Sequence, residues 1–471
     1  MFSIKNTTLA LATTVLLSSC GSDFLELDQF QSVEDSKAIL SADDVTTAVI
    51  GVYYWMGSNN FYGRSIPAIG DVATDNCTHT GKTSHFYDFY DHTYQSTTSY
   101  LSNTWQVGYK IIDHSTRIIE AGRNLLETAS ATDASVIRSG LSQAYALRGL
   151  ATFNLANLYA LPYSEANLTK QGVVLLNRRV AAFEQVERST VGETYDYIVA
   201  QLDSAAIYAE GAAAISNKEG YLHPTAITAL RARVALYMGR YAEAKAFAEE
   251  AIAATDGSIA LTETAYNTLF AGNTITSEDI FVIRKSDDDN LSANSLNTLY
   301  NSYGVGISDD LLAIYDSTDI RRQLVAPWTT STVYYGAKFA EPITNVPVIR
   351  LPEMYLIVAE CEAELGNAEA SAEALFAVAR RNTAIASVAD LPTSIDELQQ
   401  FIVAERRREL FQEGHRLFDV RRRGETILVA DGYKQLEAGQ IVFPIPNDEI
   451  NSGSGVEQTI DWESYRPASV K

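Results

Sequence analysis

The sequence predicts a mainly α protein, in which a helical scaffold is interrupted by long irregular loop insertions. Several segments repeat apolar residues at the spacing of a helix face, and glycines divide some of these segments into pairs. Two polar segments rich in tyrosine follow neither a helical nor a strand period. With 471 residues, of which 46% are hydrophobic, the chain is long enough to bury one large core or two moderate ones.

The N-terminus has the pattern of a bacterial lipoprotein signal. Lys5 precedes an apolar run over residues 9–17, which is too short to span a bilayer. The letters LSSC, ending at Cys20, resemble the lipobox, in which the cysteine takes a lipid and becomes the mature N-terminus. We therefore expect a signal peptide over residues 1–19 and a lipidated Cys20 with a tether over 20–40. The lipid would be the only attachment to a membrane.

The clearest helical pair begins at residue 223. It reads HPTAITALRARVALYMGRYAEAKAFAEEAIA, with Pro224 in a first turn that tolerates proline and Gly239 at the break between two helices. Small residues on one face of the second helix allow a close approach to its partner. They are Ala244, Ala248 and Ala251. The turn GRYAEA is similar to the turn of a tetratricopeptide repeat.

A later segment repeats this design, and an earlier one adds a helix of the same character. The segment from residue 351 reads LPEMYLIVAECEAELGNAEASAEALFAVARRN and turns at Gly366, with Cys361 placed as a small core residue. The segment from residue 141 reads LSQAYALRGLATFNLANLYALPY and is also amphipathic. Because these units are dispersed along the chain, they predict a tetratricopeptide-like scaffold rather than a regular solenoid.

Two insertions interrupt the scaffold, over residues 57–102 and 286–347. Both are rich in Asn, Ser, Thr, Gly and Tyr, and the first contains SHFYDFYDHTY, which lacks Leu, Ile and Val. We interpret that stretch as a surface. Structureless loops of this length are uncommon in compact domains, so the insertions are expected to be folded and to carry binding groups. Cys77, in a polar part of the first insertion, is expected to be an uninvolved thiol.

The charge balance argues against a nucleic-acid partner. The chain has 36 Lys and Arg residues against 59 Asp and Glu residues, which gives a net charge of −23. Such a chain repels a phosphate backbone and an anionic lipid surface. The acidity itself is typical of a soluble protein surface.

The most highly charged stretch reads ERRRELFQEGHRLFDVRRRG, from 405 to 424. Glu405, Glu409 and Glu413 recur every four residues on one helix face, among arginines. A general acid needs a raised carboxyl pKa, whereas neighbouring arginines lower it. The pattern therefore predicts an ion-pair network that fixes the helix and the following turn, and not a catalytic site.

No cofactor is expected, although two segments contain residues that bind metals elsewhere. His79, His85 and His92 lie in the first insertion, but their spacing is not the tight helical spacing typical of zinc sites. The run DDDN over 287–290 offers oxygens to a structural calcium ion. It lacks the turn glycine and terminal glutamate of a calcium loop, so we interpret it as a solvated turn.

Four segments in order resemble the SusD/RagB lipoproteins of Bacteroidetes. They are Cys20 with the following GSDFL, then RLPEMYLIVAECEAELGN, ERRRELFQEGHRLFDVRRRG and FPIPNDEINS. The resemblance covers nearly the whole mature chain, from Cys20 to about Asn451. One departure is the segment over 26–29, Glu-Leu-Asp-Gln, where many members carry a proline. A tether need only be flexible and extended, so this change leaves the resemblance intact.

The resemblance implies a fold, a location and a partner. It implies a SusD-like, tetratricopeptide-like protein that is lipid-anchored on the outer face of the outer membrane. Such a protein captures glycans and covers a SusC-like TonB-dependent transporter. The chain then divides into an N-terminal SusD-like helical part, residues 41–255, and a C-terminal SusD/RagB part, residues 256–471. The resemblance also implies that the arginine-rich helix belongs to the family's framework. The ligand residues lie in variable loops, so the family's motifs do not identify them in this sequence.

The candidate ligand residues are therefore chosen by chemistry. Flat rings cover the C–H faces of sugars, while flanking polar groups bond the hydroxyls. We expect about half of the rings in the insertions to pin the loops to the scaffold instead. The candidates are Tyr62, Arg64, Asp75, Asn76, His85, Tyr87 and Tyr90 in the first insertion, with Trp328 and Tyr334 in the second.

Three function classes remain at this point. The resemblance favours a glycan-binding partner of a transporter, and a peptide-capturing member of the same family is an alternative. A surface glycoside hydrolase is a further alternative, which would need two carboxyl groups about 5 to 10 Å apart across a cleft. The sequence contains no nucleophile motif, metal signature or phosphate loop, so we predict a protein that is not an enzyme.

Overall fold

The computed structural model describes residues 38–181, 184–325, 328–330 and 333–470. Residues 41–471 form one compact unit. The expected signal peptide over 1–19, the expected lipidation site Cys20 and the tether up to residue 37 lie outside the described residues. The expected division between residues 255 and 256 stays a prediction.

The described part of the chain is mainly helical, which confirms the predicted fold class. The helices, in chain order, are α1 (Ala42–Met56), α2 (Ser65–Val72), α3 (Tyr87–Tyr90), α4 (Ser99–Leu126), α5 (Ala131–Tyr159), α6 (Val191–Ala209), α7 (Pro224–Tyr237), α8 (Tyr241–Ala253), α9 (Glu263–Thr268), α10 (Leu296–Ser302), α11 (Asp309–Ala313), α12 (Arg322–Val325), α13 (Leu351–Glu364), α14 (Ala368–Ala379), α15 (Ile395–Leu410), α16 (Arg416–Arg423) and α17 (Asn447–Ile450).

The strands are short and lie between the helices. They are β1 (Cys77–His79), β2 (Gln171–Val174), β3 (Arg188–Thr190), β4 (Asp279–Ile283), β5 (Val305–Ile307), β6 (Trp328–Thr330), β7 (Val333–Tyr335), β8 (Val346–Arg350), β9 (Thr426–Val429), β10 (Lys434–Glu437) and β11 (Ala468–Ser469). They form one four-stranded sheet in the order β1-β5-β7-β6, one three-stranded sheet in the order β11-β10-β9, and the pairs β2-β3 and β4-β8.

Side-chain caps fix the starts of the scaffold helices. Ser41, Ser130 and Thr190 precede α1, α5 and α6, and the hydroxyl oxygen of each accepts a hydrogen bond of 3.2 Å from a backbone N–H in the first turn. Such a bond satisfies one of the donors that a helix start leaves without an intrahelical partner. The three helix starts are therefore set by local sequence.

The pair α7 and α8 confirms the first predicted helical hairpin. Pro224 occupies the first turn of α7, and Gly239 has φ of +67°, a conformation that favours glycine. The predicted small-residue face of α8 is buried, at Ala244, Ala248 and Ala251. Because these side chains are short, α8 packs closely against both α7 and α13.

The pair α13 and α14 confirms the second hairpin. Gly366 turns the chain with φ of +85°, and Cys361 is completely buried within α13, as predicted. The facing sides of α13 and α14 share a core with α15, which includes Leu356, Leu375 and Leu398. The third predicted segment lies in α5, whose residues from Gly140 to Tyr159 are all buried between α4 and α6.

The two insertions are folded, as predicted, and they pair with each other. In the first insertion β1 lies antiparallel to β5 of the second, with Cys77 opposite Ile307 and His79 opposite Val305. Strands β7 and β6 extend the same sheet. Cys77 therefore lies in a strand and is 2% exposed, which corrects its assignment to a polar loop. Burial, with nearby carboxylates, raises the pKa of its thiol.

The arginine-rich helix α15 and its following turn form a buried ion-pair network, which confirms the prediction. Glu409 contacts Arg381, and it lies 2.9 Å from Arg350 Nη2 and 3.2 Å from Arg321 Nη1. Glu413 pairs with Arg350 and also with Lys338. Burial alone would raise the pKa of Glu409, but its cationic neighbours outweigh this effect and lower it.

Candidate functional site

Five of the seven rings in the stretch from Ser84 to Tyr94 are buried. Phe86, Phe89 and Tyr94 are almost completely buried, and their rings pack on Tyr100 and Phe443. One of these partners, Phe443, comes from a distant part of the chain. The interpretation of the whole stretch as a surface is therefore corrected for these rings, which hold the loop to the scaffold.

The two accessible rings of this stretch are His85, which meets the second insertion, and Tyr87. His85 stacks on Tyr303, with ring centroids 4.0 Å apart and an interplanar angle of 8°. The Nδ1 atom of His85 lies 2.9 Å from Tyr100 Oη. The rings of Tyr87 and His79 meet edge to face, with their centroids 5.1 Å apart, and Tyr87 is 37% exposed. We name His85, Tyr87, Tyr100 and Tyr303 the aromatic surface, and each of them remains at least partly accessible.

Local structure holds the aromatic surface in place. Phe86 precedes the short helix α3 with φ of +57°, a left-handed conformation that turns the chain between His85 and Tyr87. The buried His79, at the end of β1, directs its Nε2 atom to the carbonyl oxygen of His85 at 2.9 Å. Because β1 is paired with β5, the contact links the loop to the sheet that joins both insertions.

Arg64, just before α2, lies under this surface. Its guanidinium carbon is 5.5 Å from the ring centroids of both Phe86 and Tyr100, and its Nη1 donates a hydrogen bond of 2.9 Å to Asn294 Oδ1. Burial lowers the pKa of Arg64. Burial and the charge of Arg64 lower the pKa of His85, which favours the neutral form of its ring.

A cleft of about 730 Å³ lies beside the aromatic surface. Its walls come from β1, β5, the start of α11 and the turn between β9 and β10. Asp431 in that turn accepts hydrogen bonds from Tyr90 Oη at 2.7 Å and Thr78 Oγ1 at 2.9 Å. Tyr90 is nearly buried and therefore supports the junction between the surface and the cleft. Asp309 and Asp310 supply exposed carboxylates at the rim.

Two candidate residues, Tyr62 and Asn76, belong to the interior, which corrects their assignment to a ligand site, whereas Asp75 is half-buried and lines the cleft. Tyr62 is buried, with its Oη 3.3 Å from Asn154 Oδ1. Asn76 is buried and donates to Asp71 Oδ1 at 2.9 Å. Asp75 accepts bonds of 2.8 Å from Nε and Nη2 of Arg416. Burial alone would raise the pKa of Asp75, but Arg416 outweighs this effect and lowers it.

The two candidates from the second insertion lie in its sheet. Trp328 in β6 is paired with Tyr335 in β7, and the side chain of Trp328 lies outside the described structure. Tyr334 is paired with Ile307 and packs, half-buried, against a core that includes Leu311 and Phe411. The structure therefore brings together Arg64, His85, Tyr87 and Tyr90, and Asp75 lines the neighbouring cleft.

Sequence reasoning did not select several residues of the site. Tyr303 lies in a tyrosine-rich insertion, but nothing near it in the sequence shows that it stacks on His85. Tyr100 is also partly accessible and lies at the start of the long helix α4, where no sequence pattern marks it as part of a site. Asn294 and Asp431 reach the site only through long-range contacts, which leave no local pattern.

His92 and Asp289, from the two segments considered as metal sites, have partners within the protein. His92 directs Nε2 to the Ala73 carbonyl oxygen at 3.1 Å, and Asp289 pairs with Lys285 at 2.9 Å. Within the described ranges, no group of three or more His, Cys, Asp or Glu residues is arranged to hold a metal ion. The site instead offers ring faces beside hydroxyl, amide and carboxylate groups, which suit the apolar faces and hydroxyls of a sugar.

Comparisons with known proteins agree on one family. A model of the SusD family matches residues 328–440. A second model, described as starch-binding and associating with the outer membrane, matches residues 23–236. The SusD-like protein P38 of Formosa agariphila is 26% identical over 125 residues, which are 25% of this chain and 25% of that protein. That match spans about a quarter of the relative's length. Among the described helices, none is long and apolar enough to cross a membrane.

Solved structures share the fold over most of the chain. A SusD superfamily protein of Bacteroides thetaiotaomicron gives a TM-score of 0.78 at 23% identity, with 89% of this chain and 100% of that chain covered. A candidate sugar-binding protein of Bacteroides vulgatus gives a TM-score of 0.79 at 25% identity, with 90% of this chain and 99% of that chain covered. The two model matches, the helical framework and these structures together show that the chain belongs to the SusD/RagB family.

Proposed function

We propose that this protein captures a glycan at the cell surface and delivers it to a SusC-like TonB-dependent transporter of the outer membrane. The family description supports an outer-membrane association and a carbohydrate ligand. The aromatic surface and the adjacent cleft supply the binding groups. Cys20 would carry the lipid that holds the protein on the outer face of the membrane.

The observation that carries this proposal is the meeting of rings from both insertions at one place. His85 and Tyr303 stack face to face, and Tyr87 projects beside them. Rings that serve only as packing are buried, whereas these remain accessible. A sugar face that covers Tyr87 removes apolar area from water, and the cleft's hydroxyl and carboxylate groups can bond its hydroxyls.

Binding experiments with matched variants test the proposal. Tyr87→Ala and Tyr303→Ala are each expected to weaken glycan binding about tenfold, which corresponds to about 1.4 kcal/mol. Tyr54→Ala is the matched control, because Tyr54 is an exposed tyrosine on α1, outside the site. A glycan array identifies the ligand, and calorimetry measures its affinity. Normal binding by both site variants would place the ligand elsewhere.

The partner and the absence of turnover need separate experiments. Extraction of the native membrane with mild detergent should recover this chain together with a TonB-dependent transporter, and recovery of the chain alone would count against delivery. Incubation with the bound oligosaccharide should produce no new reducing ends. Glu409 on α15 is poorly suited to act as a general acid, because the surrounding arginines lower its pKa and hold its charged form. Turnover that one acid substitution abolishes would establish a hydrolase instead.

A further inference from the structure

Asp431 is held in a fixed position at the wall of the cleft. It lies in the turn between β9 and β10, where Ala430, Asp431 and Gly432 have φ values of +52°, +51° and +81°. Such left-handed conformations are uncommon for residues with a Cβ and persist where the surrounding structure holds them. The first insertion supplies this hold, because Tyr90 Oη and Thr78 Oγ1 donate to the same carboxylate oxygen, Oδ2, at 2.7 and 2.9 Å.

The second carboxylate oxygen of Asp431 is open to a ligand. Among the described residues, Oδ1 has no hydrogen-bond partner and the carboxylate has no ion-pair partner. The residue is exposed and lines the cleft. Oδ1 is therefore an acceptor whose position is set before a ligand arrives, so that binding costs little further ordering of this side chain.

The arginines that reach other acids of the cleft are already bound to them. Arg416 pairs with Asp75 at 2.8 Å, and Arg407 pairs with Asp310 at 2.8 Å. The charge of Asp431 has no such compensation among the described residues. It therefore attracts a hydroxyl that can donate a hydrogen bond and repels a ligand carboxylate or sulfate.

One ring separates Asp431 from the aromatic surface. Tyr90, which donates to Asp431, has its ring centroid 5.8 Å from that of Tyr87. The cleft continues from this junction between β1 and the turn that carries Asp431. A short oligosaccharide that covers Tyr87 can therefore extend into the cleft and reach Oδ1.

We propose that the captured glycan is neutral and that one of its hydroxyl groups donates to Oδ1 of Asp431, which selects against anionic glycans. This inference rests on the proposed glycan capture and adds the chemical class of the ligand and a residue that determines it. A hydrogen bond from a hydroxyl to a carboxylate is about twice as strong as one between neutral groups. A ligand carboxylate in the same place has no proton to donate and meets a like charge. The net charge of −23 acts in the same direction at longer range.

A glycan array with neutral, carboxylated and sulfated oligosaccharides provides the first test. We expect the bound set to be neutral. Carboxylated or sulfated glycans that bind as well as neutral ones, or better, would refute the neutral class while leaving glycan capture intact. Binding of no glycan would refute glycan capture and this inference together.

The second test changes the ligand alone. Oxidation of the primary hydroxyls of the bound oligosaccharide to carboxylates is expected to weaken its binding to the unaltered protein about tenfold or more, as measured by calorimetry. A higher salt concentration should narrow this difference, because salt screens charges in an open cleft. Equal affinity for the two ligands in dilute salt would overturn the proposal without any dependence on a variant's folding.

The third test changes Asp431. In the Asp431→Asn protein the amide oxygen can still accept from Tyr90 and Thr78, and asparagine tolerates the left-handed conformation, so the turn should be kept. The amide nitrogen then replaces the open oxygen, so the preference for the neutral over the oxidised ligand should fall about tenfold. Asp461→Asn is the matched control, because Asp461 is an exposed aspartate with φ of +56° in another segment. An unchanged preference in the Asp431→Asn protein would refute the role of this residue.

Discussion

The clearest test of the site compares two rings that are two residues apart but face opposite ways. Phe89 is completely buried and packs on Tyr94, Tyr100 and Phe443, whereas Tyr87 is 37% exposed. Removal of a buried phenylalanine side chain typically costs about 3 to 5 kcal/mol, because it leaves a cavity and loses apolar burial. Removal of the Tyr87 ring leaves no cavity in the core, so we expect a loss of less than about 1 kcal/mol in stability.

The two substitutions should therefore separate stability from binding. Phe89→Ala should lower the free energy of unfolding, measured by urea denaturation, by several kcal/mol, roughly 3 or more. Tyr87→Ala should unfold at nearly the same urea concentration as the unaltered protein but bind glycan about tenfold more weakly. Equal destabilisation by the two substitutions would show that Tyr87 also clamps the loop, and the assignment of Tyr87 to a binding surface would then be refuted.

Three further outcomes follow from the scaffold. Glu409→Ala should cost about 3 to 5 kcal/mol, because it leaves buried arginines without their shared carboxylate; denaturant unfolding measures this loss, and a change below 1 kcal/mol would contradict the network's role. Burial is the main cause that lowers the pKa of His415 to about 4, below the value near 6.5 expected in the unfolded chain. The contribution of His415 to stability should therefore fall as the pH drops from about 6.5 toward 4. The His415→Gln protein should lose less of its unfolding free energy over that pH range than the unaltered protein does. Gly366→Ala should cost about 1 to 2 kcal/mol of stability, because a φ of +85° is strained for any residue with a Cβ. Gly51→Ala, at an unobstructed position within α1, should be neutral or stabilising, and thermal melts of both variants measure the difference.

The scaffold could be predicted from sequence because its signals are local. Pro224 and Gly239 mark the start of one helix and the turn to the next, and the repeated small residues of α8 mark its buried face. The glutamates of α15 recur at the spacing of one helix face, so their shared environment was evident before their partners were known. In each case the information lies within a few residues of the feature that it determines.

The site could be predicted only in part because its contacts are distant in the sequence. Strands β1 and β5 have three residues each, too few for a recognisable alternation of polar and apolar positions. Tyr62 and Asn76 have the residue types of a sugar site, but partners from α5 and α2 bury them. Arg64 was identified by its chemistry, whereas its position between the rings of Phe86 and Tyr100 became evident only in the structure.

The pairing of β1 with β5 also determines how binding properties could be transplanted between relatives. A graft of residues 57–102 alone would place a new β1 beside a β5 whose side chains had packed against a different strand. The ring stack would be divided as well, because His85 belongs to one insertion and Tyr303 to the other. A chimaera that binds the donor's ligand should therefore require both insertions, residues 57–102 and 286–347, to be transferred together.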